Sequence, residues 1–348
     1  MSNPTNMEDF IKAVKEDLTD RLSDLYPGIQ VEQTYVEKAQ GESYEGIRLQ
    51  IPGQVAAPVM NVEPFYEKVT TSVPYREVIE DMDYYAQKAL TEVPEISAEQ
   101  LTNYMEMKDR LTMQAIPIKG NEEMLAKTPH RQIADMAIIY RFVMNESERG
   151  AMSTVVTNDM MARYGLTADE LHLDAAAAMR TERPYEIRPL FDVLGAMSPD
   201  FADENQPDNM LYVATYGNNM YGAGSIGHPD FMEDAAVVMR GSFFILPSSI
   251  HEVLLLPDDG TVDYRELMAM VKNINETMVS PEDRLTDNVY HYDSQEKLFE
   301  MAKDHDDRVS EKEQGKSSLL KNLAEKKEQI ANRPAPARGD HAIGGAVL

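Results

Sequence analysis

The sequence predicts an α+β fold: an antiparallel sheet built from repeated strand-strand-helix units, with an N-terminal α-β-β-β-α module and a mostly disordered C-terminal tail. Apolar residues recur at spacings of three or four along several polar stretches, as helices require, and gather elsewhere into short runs bounded by turn residues, as strands require. Those runs come in pairs followed by a helix, which implies antiparallel pairing with helices on one face and not alternating β-α-β winding. Beyond Val309 large apolar residues become too sparse to offset the entropy of ordering the chain.

Taking the elements in order, Asn6 caps a helix from Met7 to about Tyr26, whose stripe is Phe10, Val14, Leu18, Leu22 and Leu25. Pro27 and Gly28 stop it. The runs Ile29–Lys38 and Tyr44–Ile51 read as a hairpin, and Val59–Val62 as a third strand before a helix from about Pro74 to Leu90. These elements make a first module, residues 1–92. A main domain, residues 93–303, opens with a short charged helix from Ala98 to about Asp109. Its first unit comprises strands Asp135–Met144 and Met152–Val156, followed by helices Asn158–Tyr164 and Ala168–Met179, the latter opened by a Thr167/Glu170 capping box. Met210–Tyr216 and Met220–Ile226 form the second strand pair, before a helix Pro229–Val238. Ser242–Leu246 and His251–Leu256 form the third, before a helix from Tyr264 to about Glu276. Residues 304–348 are a charged tail, with a loose helix over Val309–Ala331 and disorder over Asn332–Leu348. The many methionines, such as Met136, Met160, Met161, Met268 and Met270, sit inside periodic segments and read as core filling.

Composition narrows function. The net charge is −27, from 60 acidic and 33 basic side chains. From Arg308 onward eight Lys/Arg face five Asp/Glu, so this segment carries +3 and the remainder −30. An acidic body repels phosphate backbones, so nucleic-acid binding by it is not expected. There is no cysteine, which removes disulfides and thiol chemistry and suits a reducing compartment. Neither a signal-like start nor a long apolar run is present, so the expected location is cytoplasmic, without membrane contact.

Three motifs invite chemistry. Gly222-Ala223-Gly224-Ser225-Ile226-Gly227 matches the dinucleotide pattern G-x-G-x-x-G, but Pro229 starts the next helix beyond the last glycine, where its amides cannot reach a pyrophosphate; a closely packed small-residue strand is expected. Asp259–Glu266 resembles the second half of a calcium loop, yet Leu255 and Pro257 occupy the first ligand positions; Asp263 and Glu266 read as a helix capping box. Ser248-Ser249-Ile250-His251-Glu252 gathers hydroxyl, imidazole and carboxylate, but neighbours on a strand alternate faces and no G-x-S-x-G elbow surrounds the serines. His130, His172, His228, His291, His305 and His341 lack metal-ligand spacing. No cofactor and no metal are expected, and the catalytic residues, if any, are not legible.

Four stretches carry a family resemblance. Phe244–Gly260, Val271–Asn275, Pro281–Tyr290 and Thr128–Arg131 resemble a domain-of-unknown-function family from gut Gram-positive bacteria, over a span from the first helix to about Tyr292. The resemblance implies a setting near mobile elements and no assigned reaction. The tail segment Gly315–Leu323 looks like the charged tails of other proteins of such elements. Two function classes follow. One is a non-enzymatic binding or accessory protein acting through protein partners. The other is a hydrolase-like enzyme with a site assembled around His251 from Ser249, His130 and Arg131.

Overall fold

The computed structural model describes residue 4 and residues 6–37, 43–93, 98–147, 150–197, 211–217 and 219–331. The chain divides into a unit Met1–Met301 and a second unit Ala302–Leu348. The fold is α+β with three antiparallel sheets.

The first unit begins with α1 (Met7–Ser23), strands β1 (Gln30–Glu37), β2 (Ser43–Gln50) and β3 (Val59–Asn61), and helices α2 (Glu63–Thr70) and α3 (Tyr75–Thr91). Asn6 Oδ1 accepts the Asp9 amide at 2.8 Å and starts α1. Phe10, Val14, Leu18 and Leu22 are fully buried and share a core with Val78, Ile79, Met82 and Ala86 of α3. Leu25, expected on that stripe, is 59% exposed, because α1 ends at Ser23 ahead of the turn at Gly28 (φ +79°). The hairpin β1–β2 pairs from Gln30/Gln50 to Glu37/Ser43, and β3 joins β2. α2 was not expected from the sequence.

Further along lie α4 (Ala98–Thr102), α5 (Tyr104–Met107), β4 (Leu111–Pro117), α6 (Glu122–Lys127), β5 (His130–Ile133), β6 (Met136–Ser147), β7 (Gly150–Val155), α7 (Asn158–Tyr164) and α8 (Ala168–Glu182). The expected Ala98–Asp109 helix breaks at Asn103, whose side chain accepts the Met105 amide and restarts the chain as α5. β4 and β6 pair along their lengths, while β5 and β7 take successive halves of the other edge of β6. Then come β8 (Tyr185–Pro189), α9 (Leu190–Met197), β9 (Tyr212–Tyr216), α10 (Phe231–Met239), β10 (Phe243–Ser249), β11 (Glu252–Pro257), α11 (Tyr264–Thr277), β12 (Tyr290–Asp293) and β13 (Leu298–Met301). The last sheet runs β13-β12-β10-β11-β9-β8. Side chains from this sheet and from the β4–β6 sheet share one core, with Met113, Ile138, Tyr140, Ala214, Phe243, Ile245 and Leu255 inside it.

The strand expected over Met220–Ile226 is instead a fully buried 3-10 helix, Gly222–Gly227. Tyr221 enters it in the left-handed region (φ +58°), which a ladder strand cannot accommodate. A Cβ at Gly222 would stand 2.3 Å from both the His251 carbonyl oxygen and Thr215 Oγ1, and one at Gly224 would stand 2.2 Å from the Met113 carbonyl oxygen. One at Gly227 would meet the Ile138 side chain at 2.8 Å. The glycines therefore let one segment lie against β9, β11's leading turn and β4 at backbone contact distance. The close packing expected of this motif holds; its secondary structure differs. Met270 is 40% exposed and does not fill the core, since α11 buries the face carrying Leu267, Val271 and Asn275.

The second unit contains α12 (Ala302–Ala331), a helix beginning earlier than the expected Val309. Residues 332–348, expected to be disordered, lie outside the described residues. Among the described residues no helix is long and apolar enough to cross a membrane.

Two predictions arise from this packing. Gly224→Ala forces a methyl onto the Met113 backbone, which cannot rotate away, so denaturant unfolding should show a loss of at least about 2 kcal/mol; Gly217→Ala, whose Cβ meets only Glu186 Oε1 at 4.0 Å, should change stability by less than about 0.5 kcal/mol. His172, buried on α8 with Nδ1 3.1 Å from the Tyr140 hydroxyl, is pushed down to about 4, first by burial and then by the Arg131 charge. The folded state thus holds this proton less tightly than the unfolded chain, whose value is near 6.5. Its stability contribution is whole above about 6.5 and is lost towards pH 4, at about 1.4 kcal/mol per pH unit. Unfolding free energies measured across that window should fall for the native chain, and His172→Asn should flatten the slope.

Candidate functional site

Ser249 and His251 stand together at the turn from β10 to β11, where a bulge between Pro247 and Ser249 shifts the register. Their geometry is not that of nucleophile and base. Ser249 Oγ accepts the backbone N–H of His251 at 3.1 Å. The imidazole Nδ1 accepts the Tyr221 backbone N–H at 3.4 Å, which leaves the proton on Nε2, facing Asp283 Oδ1 at 3.4 Å. Both ring nitrogens are thereby engaged, and the ring stacks on Tyr221 with centroids 6.2 Å apart. Ser248 Oγ donates to Glu252 Oε1 at 3.2 Å.

His130 and Arg131 lie on β5, in the other sheet. His130 Nδ1 donates to the Thr128 carbonyl at 2.9 Å, and Arg131 pairs with Asp169 near the start of α8. Among the described residues no hydrogen bond or ion pair joins this pair to Ser249 and His251, so the four candidates do not form one site. The carboxylates in and beside the calcium-like stretch are engaged within the protein, and Asp258 Oδ2 also meets His291 Nε2 at 2.9 Å. Asp258 Oδ1 accepts the Gly260 amide and Asp259 Oδ1 the Thr261 amide, both at 2.9 Å, and Asp263 Oδ1 caps α11 through the Arg265 amide. The cap has no reciprocal contact from Glu266 of the kind that Glu170 makes to Thr167. Within Met1–Met301, no three His, Asp or Glu side chains among the described residues converge as metal ligands.

What the fold does assemble is a cleft of about 850 Å³ where the end of β4, the turn from β5 to β6, the end of α11 and the Arg284–Asn288 segment meet. Ala134, in the left-handed region at φ +51°, turns the chain so that Asp135 faces inward. Asp135 Oδ1 accepts the Tyr290 hydroxyl and Oδ2 accepts Asn288 Nδ2 at 2.8 Å. Burial and then the Asp135 charge hold the Tyr290 phenol well above its ordinary range, so it remains a donor. Asn275, 2% exposed, donates Nδ2 to the Thr286 carbonyl at 3.1 Å and to Asp287 Oδ1 at 2.9 Å. Those two bonds fix the amide orientation and direct Oδ1 elsewhere, and that buried oxygen meets no donor among the described residues. The described lining residues include no serine, cysteine or histidine.

Sequence reasoning passed over Asn275, Asp135 and Asn288. A signal existed at Asn275: the buried stripe of α11 runs Leu267, Val271, Asn275, so an amide occupies a position where the period asks for an apolar side chain. The stretches that carry the family resemblance, Val271–Asn275 and Pro281–Tyr290, supply one wall of this cleft. Neither the curated proteins nor the solved structures contain a significant match to the chain. One family model matches residues 7–294, most of the chain, and the protein therefore belongs to this family of unknown function (DUF5688).

Proposed function

We propose that this chain is a binding protein, acting through protein contacts in the cytoplasm, and that its cleft receives a hydrogen-bond-donating segment of its partner. The observation that carries the reading is Asn275, a residue lining the cleft whose buried Oδ1 meets no donor among the described residues. Leaving such a group unmet costs about 1–3 kcal/mol, which a ligand N–H placed there recovers. The charge of the walls favours the same class of ligand, because Glu122, Asp135, Glu276 and Asp287 outnumber Lys119 and Arg284 among the described lining residues. Binding is preferred over hydrolysis around His251 because both imidazole nitrogens are engaged and Ser249 Oγ serves a backbone amide. A role as accessory protein of a mobile element belongs to the proposal and rests on the family resemblance.

Glu122 and Glu276 are exposed at the rim, so reversing both to Lys leaves the core intact. Cross-linking mass spectrometry in extract of the encoding organism should show a partner cross-linked beside the cleft of the native chain. The Glu122→Lys/Glu276→Lys chain, at unchanged melting temperature, should lose that partner at least about tenfold. Equal capture by both chains, or cross-links that avoid the cleft, contradicts the reading.

A further inference from the structure

Arg141 holds a charge that the surrounding protein does not balance. It stands on β6, directly across from Thr112 of β4 and Val155 of β7. Its Nε–H donates to Ser153 Oγ at 2.9 Å, Nη1 to Gln114 Oε1 at 3.2 Å and Nη2 to the Ser153 carbonyl at 3.4 Å. The Tyr221 ring lies 5.1 Å from the guanidinium carbon, and the Tyr221 hydroxyl is 3.1 Å from Ser153 Oγ. Every one of these partners is neutral. Among the described residues no carboxylate approaches within ion-pair distance, although the chain has 60 acidic side chains.

Two N–H groups of the fork are left over after these three bonds, since a guanidinium has five donors in one plane. Beside them stands the Thr112 hydroxyl, on a residue 1% exposed, whose Oγ1 has no hydrogen-bond partner among the described residues. Cross-strand neighbours in this register have Cβ atoms about 5 Å apart, so the hydroxyl and the fork can address the same small ligand. Gln114 is 4% exposed, while Arg141, Ser153 and Tyr221 are partly exposed. Burial alone pushes the Arg141 guanidinium down from its ordinary value, with no acidic neighbour to raise it beyond the Tyr221 phenol.

We infer that Arg141, with Thr112 and Tyr221, forms a binding site for a small carboxylate. A planar carboxylate matches the planar fork two bonds to two, and its second lone pairs can take the Thr112 hydroxyl. A monoanion also enters a body of strongly negative net charge more easily than a phosphate dianion does. This site is independent of the Asn275 cleft, so either can fail without the other.

The test titrates the full chain with sodium acetate, sodium phosphate and sodium chloride at equal ionic strength, following the melting temperature and, by NMR, the Arg141 side-chain Nε–H resonance. Acetate should raise the melting temperature by a few degrees in a saturating manner and shift that resonance, while phosphate and chloride produce less. Arg141→Met, compared with its own melting temperature in chloride, should lose the acetate response. Thr112→Val, which keeps shape and removes only the hydroxyl, should weaken the acetate response several-fold. The inference is overturned if acetate acts no differently from chloride, if Arg141→Met keeps the acetate response, or if phosphate stabilises as much as acetate does.

Discussion

Close contact at Gly222, Gly224 and Gly227, with backbone at the first two and with the Ile138 side chain at the third, is the constraint on which the large core depends. Two antiparallel sheets can share one core only if the chain that runs between them does not hold them apart. The Gly222–Gly227 segment does so by presenting no side chain where Thr215, His251 and Met113 come closest. It also lies along β4, which otherwise would present an edge in its sheet; all seven positions of β4 are buried. Tyr221 leads into this joint in a left-handed conformation, and from there its ring reaches Arg141 while its amide holds His251. The same small-residue run that imitates a nucleotide fingerprint therefore organises two of the polar clusters in the molecule.

The strongly negative charge sets a second condition. With far fewer cations than carboxylates, many acids cannot find an ionic partner, and several use tyrosine instead. Tyr75 donates to Asp17, Tyr104 to Asp174, Tyr185 to Asp234 and Tyr290 to Asp135. In all four, burial is the first cause and the neighbouring carboxylate a further one that raises the phenol, so these donors keep their protons throughout the physiological range. Ion pairs such as Lys68–Asp81 and Lys127–Glu123 are exposed and contribute little. Against that background stand Arg141, whose hydrogen-bond partners among the described residues are all neutral, and Asn275, whose buried oxygen meets no donor among them.

Much of the architecture could be read from residues alone. Asn6 and Thr167 mark helix starts by chemistry that tertiary contacts do not override, and the β-branched and aromatic runs of β1, β10 and β11 are bounded by clear turns. Where reading failed, the local signal was weak or conflicting. β4 is buried on both faces and shows no alternation; β8, β12 and β13 are short, and β12 lies against the distant β10. Met220–Ile226 lacks the bulky residues of a strand, and only the approach of Met113 and Thr215 explains its coil. The polar cluster at Ser249 and His251 was legible, but which partners its atoms take was not, because Tyr221 and Asp283 arrive from elsewhere in the sequence. Asn275 was visible as an interruption of an apolar stripe, while the donors and acceptors around it belong to a loop whose path periodicity cannot give.

Hydrogen exchange tests the central joint most directly. The amides of Ala223, Gly224 and His228 bond to the carbonyls of Ile250, Tyr221 and Ser225 inside the buried segment. If this segment holds the sheets together, those amides exchange only through unfolding of the whole core and are as slow as the amides of β4 and β10. Exchange as fast as at the exposed turn Asp258–Thr261 would show a loop that opens by itself, and would contradict the account.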